Sequence, residues 1–79
     1  MRIDKYLKVS RIIKRRTIAN EACDQGRIAV NGKIVKASYD VKIGDIIEIT
    51  LGEKTTKIEV TNILEHVLKN DASDLYRRL

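Results

Sequence analysis

Seventy-nine residues make one small domain, with too little core for a catalytic and a recognition domain side by side. Leu, Ile, Val and Ala supply nearly all the apolar matter, Phe, Trp and Pro are absent, and the single Cys23 excludes both an intramolecular disulfide and a multi-cysteine metal site. The formal net charge is +5, and it is placed unevenly. Residues 1–20 hold seven cations (Arg2, Lys5, Lys8, Arg11, Lys14, Arg15 and Arg16) against one acid, Asp4, a net of +6. Residues 21–79 hold nine cations and ten acids, a net of −1. Such asymmetry points to a polyanionic partner engaged from one side. The alternative is a solubilising helix face. A lone cysteine suits a reducing compartment, the charged start argues against a signal peptide, and no run approaches the roughly 20 apolar residues of a membrane span. A cytoplasmic protein is expected.

Residues 2–9 are predicted to form a short helix. Asp4 lies in its first turn, where a carboxylate offsets the positive end of the helix dipole and caps free amides. At about 100° per residue, Ile3, Tyr6, Leu7, Ser10 and Ile13 share roughly a third of the circle, and Lys5, Lys8 and Arg11 project from the other side. The pattern breaks near Ser10. A second helix is predicted from Arg16 to Gln25, with Ile18, Ala19, Ala22 and Cys23 on the core side and Asn20, Glu21 and Asp24 opposite. Its small Ala residues allow close approach to the first helix. Gly26 follows, where a left-handed conformation suits glycine. Cys23 is expected to face the core, with no nearby base to make it a nucleophile.

Arg27 to Val35 reads as a hairpin, with Ile28 and Val30 inward. Asn31-Gly32 is a strong two-residue turn signal, because both positions tolerate positive φ. From the turn alone, an ordinary hairpin and a backbone-rich tip that approaches nucleic acid are equally good readings. Lys36 to Lys42 reads as a loop with Val41 as an inward anchor. After Gly44-Asp45 comes a strand with Ile46, Ile47, Ile49 and Leu51 as its apolar set and Glu48 and Thr50 outward. Gly52-Glu53-Lys54 is the next turn. Lys57 to Thr61 alternates again, Ile58 and Val60 on one face and Lys57 and Glu59 on the other. Asn62 to Lys69 is read as the end of the last strand or a helical turn, with His66 a surface residue rather than a ligand. The tail, Asp71 to Leu79, is expected to form a turn or two of helix when docked and to be mobile when free. The fold class is α+β, two short helices packed on a small, largely antiparallel sheet. The division is an RNA-binding domain over 1–62 and a short C-terminal tail over 63–79.

The catalytic inventory is thin: no supported carboxylate pair, no Ser/His/Asp arrangement, no phosphate-binding glycine loop and no zinc spacing. Neither enzyme activity nor a cofactor is expected. Clustered Arg and Lys neutralise phosphates and release counterions. With few aromatics, stacking on single strands is disfavoured, and a folded, helical RNA read by shape and backbone is favoured over DNA.

The chain resembles a known module, the alpha-L RNA-binding motif. The resemblance rests on Ile3-Asp4-Lys5-Tyr6-Leu7, Arg16-Thr17-Ile18-Ala19, Gly26-Arg27-Ile28-Ala29-Val30-Asn31-Gly32, and Val41 with Gly44-Asp45-Ile46, and it covers residues 2–50. That motif is the small domain of the fourth small-subunit ribosomal protein, also found in pseudouridine synthases, tyrosyl-tRNA synthetases and a fifteen-kilodalton heat-shock protein. As a short chain the sequence looks most similar to the RqcP/YabO family, Gram-positive relatives of that heat-shock protein. The resemblance implies a non-catalytic factor on large ribosomal subunits obstructed by peptidyl-tRNA, contacting rRNA and tRNA and assisting C-terminal alanine tailing of stalled chains. Implied partners are large-subunit rRNA, peptidyl-tRNA and a tailing factor on the same subunit, with the protein itself a monomer. Carried over by position, the RNA-facing Arg of the second helix is Arg16, the first-helix basic positions are Arg2, Lys5 and Lys8, and the hairpin tip is Asn31-Gly32-Lys33. Arg11, Lys14, Arg15 and Arg27 complete the candidate RNA contacts. One departure is Arg15, where many members have a Ser or Thr helix cap. The alternatives are a ribosome-assembly factor and a basic module for an acidic protein partner.

Overall fold

The computed structural model describes residues 1–65 and 74–79. Two helices, α1 (Ile3–Val9) and α2 (Arg16–Asp24), precede five strands: β1 (Ile28–Val30), β2 (Lys33–Ile34), β3 (Ile46–Leu51), β4 (Lys54–Val60) and β5 (Tyr76–Arg78). The strands form one sheet in the order β2-β1-β3-β4-β5, and every neighbouring pair is antiparallel. The tight turns after β1 and β3 make antiparallel hairpins, and the connection 35–45 carries the chain past β1 to place β3 on its other side.

The apolar stripe expected on α1 is the one buried: Ile3, Tyr6, Leu7, Ser10 and Ile13 all lie in the interior. Lys8 and Arg11 are exposed and Lys5 is half-buried. The period-2 pattern of the strands delivers Ile28, Val30, Ile47, Ile49, Ile58 and Val60 to the same core. Register brings Ile28 opposite Ile49, Val30 opposite Ile47, and Ile47 opposite Ile58, so the centre of one sheet face is apolar. The outward face carries charges that pair across strands, Lys57 with Glu48 at 3.5 Å and Arg77 with Glu59.

The turns follow their residues. Asn31 and Gly32 have φ of 52° and 85°, the two positive values of a hairpin turn that matches strand twist. The Asn31 amide is used inward: it donates to Asp45 at 3.1 Å and accepts from the Ile46 N–H at 3.0 Å. The carboxylate of Asp45 also accepts from the Tyr39 hydroxyl at 2.9 Å and the Lys42 N–H at 3.0 Å. This cluster fixes the first hairpin to the start of β3.

Three expectations are corrected. Ile18 is 45% exposed. The side of α2 that meets the core is the narrow one of Ala19, Ala22 and Cys23, and Ile18 sits on its flank. Leu51 is the last residue of β3, next to the turn, and is 43% exposed. Of the tail, residues 71–73 lie outside the described residues, Asp74 and Leu75 are in a 3-10 turn, and Tyr76–Arg78 is a strand rather than a helix, pairing with β4, Val60 opposite Tyr76 and Ile58 opposite Arg78. His66 lies outside the described residues.

The tail also closes the core. Leu75 is fully buried, and its carbonyl accepts from the Tyr6 hydroxyl at 2.7 Å and from the Thr61 and Asn62 N–H groups at 3.0 and 3.2 Å. Burial of the Tyr6 phenol pushes its pKa far above the ordinary value, so it stays a donor at any working pH. Leu75→Ala is expected to lower stability by about 2–4 kcal/mol, the range for a leucine truncated in a packed core. Urea unfolding checks this; a loss under about 0.5 kcal/mol would show that the tail is not part of the cooperative unit.

Candidate nucleic-acid interface

The basic stretch runs through α1, the connector 10–15 and the first turn of α2. Its geometry is set by Asp4. The residue is 1% exposed, and a carboxylate taken out of water must have its lone pairs filled. Arg2 grips both oxygens as a fork, Nε donating to Oδ1 at 3.3 Å and Nη2 to Oδ2 at 3.2 Å. The Lys5 N–H donates at 2.8 Å. From α2, Asn20 donates to Oδ2 at 3.2 Å and Arg16 approaches Oδ1 at 3.5 Å. Arg16 and Asn20 are four residues apart, on one flank of α2, so both reach the same partner. Burial alone would raise the pKa of Asp4. The Asn20 amide, the Lys5 N–H and the guanidiniums of Arg2 and Arg16 outweigh it, and the net shift is downward.

The Arg2 and Arg16 side chains remain about half exposed, 50% and 46%. With Thr17 and Glu21 they line an open groove of about 430 Å³. Each guanidinium carries five N–H donors in a planar fork, more than one carboxylate consumes.

The amino end of α2 is unusual in another way. Arg15 stands at the cap position without a side-chain cap bond, and no acid lies in the first turn. The dipole makes that end positive and leaves N–H groups unpaired, so placing Arg15 and Arg16 there is unfavourable in the isolated protein. An anion reverses the balance.

Lys8, Arg11, Lys14 and Arg15 are exposed, and among the described residues none of them makes a salt bridge. Lys5 is paired with Glu65. Arg11 has φ of 63°, in the left-handed region that usually falls to glycine. It ends α1, its N–H donating to the Lys8 carbonyl at 3.1 Å. An arginine at that position costs backbone energy and keeps a cation at the elbow.

The candidates downstream are placed differently. Arg27 is exposed beyond the far end of α2, and its backbone is held by Ala22 and Thr50. Gly32 has open space where a side chain would be, and Lys33 is exposed on the edge strand β2. The side chain of Asn31 is committed to the scaffold, as described above. Cys23 is buried, and burial, with the Asp4 and Asp24 carboxylates, pushes its thiol up to about 11, so it is a protonated core residue at neutral pH. Among the described residues no group of three or more His, Cys, Asp or Glu is arranged to hold a metal ion.

Asp4 and Asn20 are what the sequence reading missed. Local pattern places Asp4 at a helix end and Asn20 on an outward face, and the structure joins the two. The available signal was that Asp4 is the lone acid among seven cations.

The S4 domain family matches residues 1–47. A protein of Halalkalibacterium halodurans named RQC P-site tRNA stabilizing factor is 57% identical over 76 residues, 96% of this chain and 86% of the relative. A Streptococcus pneumoniae protein of the same name is 51% identical over the same shares. Among solved structures, heat shock protein 15 of Vibrio cholerae, described as trimeric, superposes with a TM-score of 0.92 at 30% identity, covering all of this chain and 81% of that one.

Two outcomes test the geometry. Arg11→Gly is expected to raise stability by about 0.5 kcal/mol, since relief of the left-handed backbone exceeds the unfolded-state entropy that glycine adds; denaturant midpoints check the sign. Because the pKa of Asp4 is lowered on folding, its contribution is full above the ordinary carboxylate range and is lost as the pH falls through the depressed value. Acid unfolding of Asp4→Asn, compared with the wild type, is expected to show a shallower loss of stability below about pH 4.

Proposed function

The chain belongs to the S4-domain family, and from that membership and the electrostatics of the α1–α2 elbow we propose that it is a non-catalytic RNA-binding factor of ribosome-associated quality control. It acts in the cytoplasm on large ribosomal subunits that carry peptidyl-tRNA. There it contacts rRNA and the tRNA in the P site, and it keeps the tRNA in place while a tailing factor on the same subunit extends the stalled chain with alanine. It acts as a single copy and without a cofactor.

The observation that carries this reading is the uncapped, doubly basic amino end of α2 set against the Asp4-held Arg2. The first is costly without a polyanion, and the second presents a half-exposed guanidinium beside it. Arg2, Arg16, Lys8, Arg11, Lys14 and Arg15 hold phosphates, with Lys5 sharing its charge with Glu65. Gly32 and Lys33 form a second contact at the hairpin tip, and Arg27 adds a cation at its foot. The names of the relatives support tRNA as a ligand. Stacking plays little part. The chain has three Tyr and no Phe or Trp, and Tyr6 is buried, which favours phosphate and shape recognition of helical RNA.

Arg16→Ala is expected to weaken binding to large subunits carrying peptidyl-tRNA by about 1–2 kcal/mol, roughly five- to thirtyfold. The slope of log affinity against log salt falls by about one unit. Cosedimentation over a salt series measures both, and wild-type affinity in this variant would remove the proposed role. Preference for subunit precursors would point to an assembly factor instead, and a ribonuclease-resistant pull-down to a protein partner.

A further inference from the structure

Within that RNA-binding reading, we propose that Asp4 is a positioning residue for RNA: it holds the guanidiniums of Arg2 and Arg16 across one groove so that they meet phosphate already oriented. An acid inside a polyanion-binding surface is at first sight a contradiction. By charge alone, Asp4 lowers the local positive potential and should weaken binding.

Burial resolves this. The carboxylate is shielded beneath the two guanidiniums, whose outer halves remain exposed. Its repulsion of a phosphate is therefore offset at close range by the cations that cover it. Meanwhile it removes a cost. An unrestrained arginine surrenders rotamer freedom when it docks. Arg2 is already fixed by a two-point fork with both carboxylate oxygens. Asn20 holds the carboxylate from α2, so the spacing of the two helices and the spacing of the two cations are set by one group. Arg2 precedes α1 and Arg16 begins α2, and the Asp4 carboxylate is the group that both guanidiniums reach.

Charge and positioning predict opposite signs for the same substitution, which makes the test direct. Asp4→Asn removes a negative charge and weakens the hold on both arginines. Glu21→Gln removes a negative charge from the same groove without touching Arg2 or Arg16. With large subunits carrying peptidyl-tRNA as the probe and the full chain as the protein, Asp4→Asn is expected to bind about five- to tenfold more weakly. Glu21→Gln is expected to bind about twofold more tightly. Asp4→Asn binding as tightly as the wild type, or more tightly, overturns the proposal.

Arginine side-chain NMR of the free wild-type protein keeps the test independent of the variant's folding. Arg2 is expected to be ordered at Nε and Arg16 at its Nη groups, with Arg15 mobile; equal mobility of all three overturns the proposal. The underlying reading fails separately. If Arg16→Ala also binds like the wild type, the RNA assignment falls and this proposal with it. If Arg16→Ala is weak while Asp4→Asn is not, only the positioning role is lost.

Discussion

The buried carboxylate of Asp4 is the constraint from which the interface follows. An ionised acid withdrawn from water must be surrounded by donors, and here they come from both helices and from the residue ahead of the first. Satisfying that one group sets how α2 lies against α1. The same requirement brings Arg2 and Arg16 to one groove although they are fourteen positions apart in the chain. The small side chains Ala19 and Ala22 permit the close approach, and Asn20 and Arg16 on the flank complete it.

Around this centre the molecule separates two kinds of charge. On the outward face of the sheet, cations meet acids across strands, Lys57 with Glu48 and Arg77 with Glu59, so that face has little net field. At the elbow between the helices, Lys8, Arg11, Lys14 and Arg15 are left to solvent. Arg11 tolerates a left-handed backbone and Arg15 occupies a cap position that it does not cap. Both are local costs that a neutral ligand does not recover and a polyanion does. Stability and binding thus oppose one another over a few residues, a common arrangement where a small fold carries a binding surface.

The sheet contributes rigidity rather than contacts. The Asn31 amide and the Asp45 carboxylate lock the first hairpin to β3, and the Tyr6 hydroxyl locks α1 to the last strand through the Leu75 carbonyl. A domain this short has few buried groups, so each long-range bond of this kind counts for more than it would in a larger core.

Local pattern determined much of this on its own. The inward stripe of α1, the Asn31-Gly32 turn, the left-handed Gly26 and the alternation of β3 and β4 all follow from periodicity and backbone sterics over a few neighbours, and all were legible. So was the gathering of charge in the first quarter of the chain, and so were the residues that carry the family resemblance. What tertiary structure decided was every outcome that depends on a distant partner. Tyr76–Arg78 is a strand because β4 offers an open edge and Leu75 completes the core beside it, a fact invisible in Asp74 to Leu79 alone. Ile18 and Leu51 are apolar yet exposed because the area of packed surface ends before it reaches them. Asp4 looked like a helix-end acid because its sequence neighbours explain it adequately. Its larger part, holding Arg2, Arg16 and Asn20 together, exists only once α2 is laid against α1, since no local rule links residues 2, 4, 16 and 20.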